Sequence, residues 1–172
     1  MDLAARVANT VRDIPDFPQP GILFKDITPV LQDPALFNDV IDWMANEPGP
    51  VDRIVGMESR GFLFAAALVR PMNAGMALAR KAGKLPHKTV SVSYVLEYGE
   101  TTLEMHVDSI RAGERVLVVD DLLATGGTAR GTIDLIRKLG GEVVGCVFLL
   151  ELGFLEGRKK LDVPVRSLLS VP

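Results

Sequence analysis

Asp120 and Asp121 stand side by side behind an apolar run and a few residues ahead of a Thr-Gly-Gly-Thr turn, in the stretch "VLVVDDLLATGGTARG" at residues 116–131. The order strand, short loop, helix aims free backbone N–H groups and the positive end of a helix dipole at one place. Gly126 and Gly127 let the backbone curl closely round an anion, and the hydroxyls of Thr125 and Thr128 can donate to it. With Ala124, these residues make a phosphate cradle. Two carboxylates at roughly 4 Å from a phosphate would repel it by several kcal/mol at an intermediate dielectric. They must face something neutral or cationic that is tethered to the phosphate. A vicinal diol fits, because carboxylates accept hydrogen bonds from hydroxyls and a 5-phosphate hangs one carbon off a ribose ring. The spacing therefore points to a ribose 5-phosphate site with Asp120 and Asp121 on the 2′- and 3′-hydroxyls. Adjacent side chains on a regular strand point apart, so the chain is expected to be turning already at Asp120.

Other anion-binding readings of this stretch lack their partners. No G-x-x-x-x-G-K-[ST] occurs to make "VLVVDD" the Mg²⁺ strand of an ATPase, and G-x-G-x-x-G is also absent. A receiver domain, which also carries paired acids at a strand end, needs more chain after Asp121 than is present.

Two further stretches suit an anion. "GMESRGF", residues 56–62, again follows a strand and opens a helix, and offers backbone N–H groups plus Arg60, a combination suited to a diphosphate. "ARKAGKLPHKT", residues 79–89, gathers Arg80, Lys81, Lys84, His87 and Lys88 in a chain of net charge −3, and beside two phosphate loops it reads as anion capture rather than a solvated face. His87 and His106 have no metal-ligand spacing, so a dedicated metal site is not expected.

The elements that must position these residues read as one α/β domain over 1–172. Apolar and charged fractions of 48% and 24% are globular values, which exclude disordered and fibrous classes, and the negative net charge argues against a nucleic-acid footprint. A single cysteine, Cys146, cannot form an internal disulfide, and neither a signal peptide nor an apolar run of ~20 residues is seen. A cytoplasmic protein without membrane contact is expected. Leu3, Val7, Val11 and Ile14 predict a first helix that ends before Pro15. The proline-rich segment that follows predicts an ordered loop with one extended piece at 22–24. A helix over 34–46 is predicted, with Asp33 as its cap. Short apolar runs at 53–55, 76–79, 90–95, 103–107, 116–119, 143–150 and 165–168 alternate with helices at 61–69 and 128–139, which predicts a mostly parallel sheet flanked by helices. The alternating stretches around Gly99 predict an antiparallel ribbon added to it.

The acidic pair and cradle in "VVDDLLATGGTA" resemble the 5-phosphoribosyl 1-diphosphate signature of the type I phosphoribosyltransferases, and are especially similar to members that use adenine. "FPQPGILFKDITPVL", "ESRGFLF", "RKAGKLP" and "SYVLEYG" fall in the same order as in that family and extend the likeness over nearly the whole chain. The resemblance implies the type I fold, with residues 1–33 as a small N-terminal hood that binds the base and an antiparallel flap. It implies transfer of phosphoribose to adenine, giving AMP and diphosphate, by a homodimer. Mg²⁺ would arrive with the diphosphate sugar, near Asp120 and Asp121. Glu58, Ser59, Arg60, Arg80, Lys81 and Lys84 would bind the diphosphate, with a non-proline cis peptide between Glu58 and Ser59. Leu23, Phe24 and Lys25 would bind adenine through loop backbone left unpaired by the prolines, and Leu152 would pack on the purine. In the flap, Tyr98 would cover the substrates and Glu97 would act as proton donor to the base. Arg60, Glu97 and Tyr98 are thus the expected catalytic residues. A xanthine-specific transferase and a regulator that binds without reacting are the alternatives.

Overall fold

A computed structural model describes residues 2–46, 49–96 and 99–172. It divides into two compact units, Met1–Asn46 and Glu47–Pro172.

In the first unit, helix α1 (Leu3–Thr10) buries Val7 and stops earlier than the apolar spacing predicted. The Thr10 hydroxyl donates back to the Arg6 carbonyl, Val11 is extended, and the chain enters strand β1 (Arg12–Pro15). Pairing wins over helix here because β1 finds a partner in β2 (Leu23–Asp26), with Asp13 opposite Lys25 and Ile14 opposite Phe24. Ion pairs Arg12–Asp26 at 2.7 Å and Lys25–Asp13 at 2.6 Å reinforce the register. The expected loop is therefore a two-stranded ribbon. Its prolines sit at the end of β1 and in the connecting turn, where Gly21 takes φ +86° and donates its N–H to Asp16. Helix α2 (Thr28–Gln32) was also unforeseen: Pro29 lies in its first turn, where a missing N–H costs nothing. Helix α3 (Pro34–Ala45) starts as predicted, with the Asp33 carboxylate accepting from the N–H groups of Ala35 and Leu36 at 3.0 Å each.

The second unit contains β3 (Arg53–Met57), α4 (Gly61–Met72), β4 (Gly75–Lys81), β5 (Thr89–Leu96), β6 (Gly99–His106), β7 (Arg115–Leu123), α5 (Gly127–Lys138), β8 (Glu142–Leu152) and β9 (Val165–Val171). Among the described residues seven strands form one sheet in the order β5-β6-β4-β3-β7-β8-β9. The pairs β4-β3, β3-β7, β7-β8 and β8-β9 are parallel, and the ribbon β5-β6 joins antiparallel through β4, as the sequence led one to expect. Near-continuous apolar strands are what a sheet covered on both faces requires. Ala129, Ile133 and Ile136 of α5 bury against Val55, Met57, Val116, Val118 and Phe148. Gly56 permits α4 to lie close on β3, because a Cβ there would stand 2.9 Å from that of Ala65. Cys146 is buried in this core, and desolvation pushes its thiol up to about 12, so it is inert packing. Among the described residues no helix is long and apolar enough to cross a membrane.

Candidate active site

The strand carrying the acidic pair does not turn at Asp120. Strand β7 runs on to Leu123, pairing Asp120 with Phe148, Leu122 with Leu150 and Leu123 with Glu151. The turn expected there is absent because β8 also runs on, to Leu152, and keeps offering ladder partners. The two carboxyls converge by another route. Asp120 folds its Oδ1 back to accept the N–H of Asp121 at 2.9 Å. A Cβ on Gly61, the first residue of α4, would stand 2.8 Å from that same oxygen. Arg60, just before it, brings Nε to 2.9 Å from Asp121 Oδ2. Both acids thus meet the N-terminal end of α4, where its dipole favours negative charge. Burial raises the Asp120 carboxyl well above its ordinary range, and the neighbouring Asp121 charge adds to that. Burial also raises Asp121, against the opposing pull of Arg60. Asp121 Oδ2 is a buried oxygen with no hydrogen bond among the described residues, since the Arg60 approach is an ion pair without hydrogen-bond alignment. A carboxylate in that condition gains from any hydroxyl or cation brought to it.

The cradle follows at once. Residues 124–126 link β7 to α5, with Gly126 at φ +79° immediately before the helix. Thr128 is the second residue of α5, so its hydroxyl and the first N–H groups share one end of a three-turn helix. Ala124, Thr125, Gly126, Gly127 and Thr128 are brought together as expected, directly beyond the acidic strand.

On the neighbouring strand, the Glu58–Ser59 peptide is cis and the chain enters α4 through Arg60. The Glu58 side chain lies among cations: Lys84 forms an ion pair with Oε1, Arg80 Nε is 3.4 Å from Oε2, and the Lys81 N–H donates to Oε2 at 3.0 Å. Partial burial works to raise this carboxyl, but these partners outweigh it and bring it down to about 2. Arg80 is further held by the Lys84 carbonyl at 3.2 Å and lies 5.9 Å from the Phe62 ring centre. Glu58, Arg80, Lys81 and Lys84 therefore form one cluster at the end of β4, with Glu58 ordering the cations. His87 donates its N–H to His106 Nε2 at 3.4 Å, which ties the arm to β6.

In the first unit, Leu23, Phe24 and Lys25 lie on β2. Leu23 is half exposed, Phe24 meets the Phe17 ring edge-on at 5.1 Å between centroids, and Lys25 pairs with Asp13. Their backbone is paired to β1 on one edge, so only the other edge answers to the unpaired backbone that was expected. Leu152 ends β8 opposite Val171. Glu97 and Tyr98 lie outside the described residues.

Sequence reasoning missed what stands behind the cradle. Two 3-10 turns, Gly153–Leu155 and Gly157–Lys160, connect β8 to β9. A Cβ on Gly157 would stand 2.1 Å from the Ala124 carbonyl oxygen, and one on Gly126 would stand 2.3 Å from the Gly157 oxygen. Two backbones touch at a spacing that only glycine on both sides allows. Arg158 locks the turn, donating to the buried Glu151 carboxylate and to the Val165 carbonyl. The "EGR" at 156–158 was visible in the sequence, but nothing local ties it to residue 124.

With this geometry in place, comparison with known proteins is specific. Residues 27–170 match the phosphoribosyl transferase domain, and the chain belongs to that family. It has the type I phosphoribosyltransferase fold and is an enzyme of the glycosyltransferase class. Within the family it falls among the adenine phosphoribosyltransferases. It is 57% identical over 162 residues to the adenine phosphoribosyltransferase of Myxococcus xanthus, covering 93% of this chain and 86% of the relative. The Thermobifida fusca adenine phosphoribosyltransferase is 53% identical over 174 residues, covering 99% and 98%. The adenine phosphoribosyltransferase structure from Saccharomyces cerevisiae, complexed with D-2,5-dideoxy-2,5-imino-altritol 1,6-bisphosphate and adenine, matches with a TM-score of 0.91 at 39% identity over 96% of this chain and 98% of that one.

Proposed function

We infer that this chain transfers the 5-phosphoribosyl group of 5-phospho-α-D-ribose 1-diphosphate to adenine, releasing AMP and diphosphate, as a cytoplasmic homodimer. The observation that carries the reading is the single element in which an acidic pair, with Asp121 buried and one of its oxygens without a hydrogen bond, leads directly into a glycine cradle at a helix N-terminus. A ribose 5-phosphate meets both parts at once. Its diol donates to Asp120 and Asp121 and relieves their burial, while Ala124, Thr125, Gly126, Gly127 and Thr128 take the phosphate.

Adenine N9 attacks C1′ as the C1′–O bond to diphosphate breaks, through an oxocarbenium-like state, and the proton that N9 carried is lost to the departing diphosphate. The chain's part is positioning and electrostatics. Ser59 and Arg60 at the start of α4, together with Arg80, Lys81 and Lys84, hold the departing diphosphate. Glu58, ionised down to about pH 2, holds those cations in place rather than touching the anion. Among the described residues no three His, Cys, Asp or Glu side chains cluster as a protein-built metal cage, but the under-bonded Asp121 oxygen suits a hard cation whose other ligands come from substrate. Held there by Asp121 and the substrate, Mg²⁺ would neutralise charge on the diphosphate. In the base subsite, a backbone carbonyl of Leu23 or Lys25 facing position 6 accepts from an amino group and repels an oxo group, which favours adenine over hypoxanthine and guanine. Glu97 and Tyr98 remain assigned to proton donation and to covering the substrates.

The test is incubation with the diphosphate sugar, Mg²⁺ and each of adenine, hypoxanthine, guanine and xanthine, followed by separation of nucleotides. AMP from adenine alone is expected. Product only with xanthine overturns the base assignment, and binding of the sugar without any product overturns the enzyme reading in favour of a regulator.

A further inference from the structure

Thr128 has a partner from the antiparallel ribbon that neither the fold nor the proposed reaction accounts for. Tyr94 lies on β5 opposite Thr101, and its hydroxyl is 3.0 Å from Thr128 Oγ1. Its ring is seated on α5 over Gly131: a Cβ there would come within 3.0 Å of Tyr94 Cδ1 and 3.2 Å of Cε1. Residues 128 and 131 share one face of the helix, so one side chain can rest on the second and reach the first. The same strand is tied to the far end of α5 by Lys138 Nζ, which donates to the Ser91 carbonyl at 3.1 Å. Thr132 Oγ1 donates to the Thr128 carbonyl at 2.9 Å and so occupies the Thr128 backbone, not its hydroxyl, which meets Tyr94.

A threonine hydroxyl has one proton and two lone pairs. If Thr128 gives its proton to Tyr94, it can only accept, and an accepting oxygen faces a phosphate with repulsion. If Tyr94 gives its proton instead, a lone pair of Thr128 is occupied and the threonine proton is free for the anion. Phenols are the more acidic donors of the two, and a dianionic phosphate favours the second arrangement. Resting on the proposed assignment of the cradle to the 5-phosphate, we propose that Tyr94 is a positioning residue: its hydroxyl donates to Thr128 Oγ1 and turns the threonine proton toward the bound 5-phosphate.

Tyr94→Phe removes only the hydroxyl and keeps the ring over Gly131. The affinity for ribose 5-phosphate, measured by calorimetry, is expected to fall about five- to tenfold, and the KM for the diphosphate sugar to rise by the same factor. The kcat, the KM for adenine, the affinity for inorganic diphosphate and the melting temperature stay near wild type. In a Thr128→Val background, itself weakened for ribose 5-phosphate, the Tyr94→Phe change is expected to have no further effect. A Tyr94→Phe protein that binds ribose 5-phosphate as wild type does, while Thr128→Val does not, overturns the inference and leaves the cradle assignment standing. A Thr128→Val protein with wild-type ribose 5-phosphate affinity overturns both. Equal losses for ribose 5-phosphate and diphosphate in Tyr94→Phe overturn the inference in favour of general loosening.

Discussion

Glu58, just after β3, and Asp120 with Asp121, on β7, sit on neighbouring parallel strands, and each strand leads into a helix. Glu58 is surrounded by Lys84, Arg80 and the Lys81 N–H and is held down to about 2. The acidic pair, with Asp121 buried and Asp120 half-buried, is self-repelling and raised, with Arg60 as its cation. The first carboxylate is satisfied by the chain itself and serves as a fixed template for cations. The second site is left under-satisfied, with Asp121 Oδ2 lacking a hydrogen bond among the described residues, a cost that a hydroxyl or cation brought to it would relieve. Similar side chains at similar places in the sheet therefore do opposite work.

The comparison breaks most visibly at Asp121. Asp121→Asn keeps the shape and removes the charge, and kcat/KM with adenine is expected to fall about 100-fold, the scale of losing charge-assisted hydrogen bonds to the diol. Full turnover in a steady-state assay would remove the acidic pair from the mechanism. Gly157→Ala is the next largest effect: the Ala124 oxygen stands in the way of the new methyl, so urea unfolding should show a loss of about 2–3 kcal/mol together with weaker ribose 5-phosphate binding.

Two carboxylate variants sharpen the contrast by moving stability in opposite directions. The folded pKa of Glu58 lies below its unfolded value, so its stabilisation is present above pH 4.5 and is lost as pH falls toward about 2. Glu58→Gln should therefore be less stable than wild type by about 2 kcal/mol at pH 7, with the gap closing across that acid window in pH-resolved denaturation. Asp120 is raised, so the folded state resists its ionisation, and the penalty grows as pH rises above 3.8. Asp120→Asn retains the acceptor for the Asp121 N–H and should gain about 1 kcal/mol at pH 7, roughly 2–4 °C in Tm by calorimetry, while losing activity.

Much of this was legible because it is written locally. The seven strands of the second unit, α4 and α5 follow from apolar runs broken by Gly and polar turns, and the ribbon from alternation on either side of Gly99. The two turns that open α4 and α5 followed from residue types at fixed spacing. The errors share a different cause. Val11 and Ile14 fit a helical face as well as a strand, and only the partner β2 decides between them. Pro29 reads as a breaker until it is seen to open α2. The turn expected at Asp120 assumed that adjacent carboxyls cannot converge from a strand, whereas Asp120 bends back onto the Asp121 N–H. Gly157 against Ala124 and Tyr94 on Thr128 are contacts between distant segments, which no local pattern announces.

The central claim is that one strand, loop and helix grip both the diol and the phosphate of a ribose 5-phosphate. Calorimetric titration with ribose 5-phosphate and with 2-deoxyribose 5-phosphate tests it directly, because the two differ only in the hydroxyl assigned to the acidic pair. The account predicts that the deoxy sugar binds about tenfold more weakly to the wild type and that the difference shrinks when Asp120 and Asp121 are both replaced by Asn, which still accepts but carries no charge. Equal affinity of the wild type for the two sugars would contradict it.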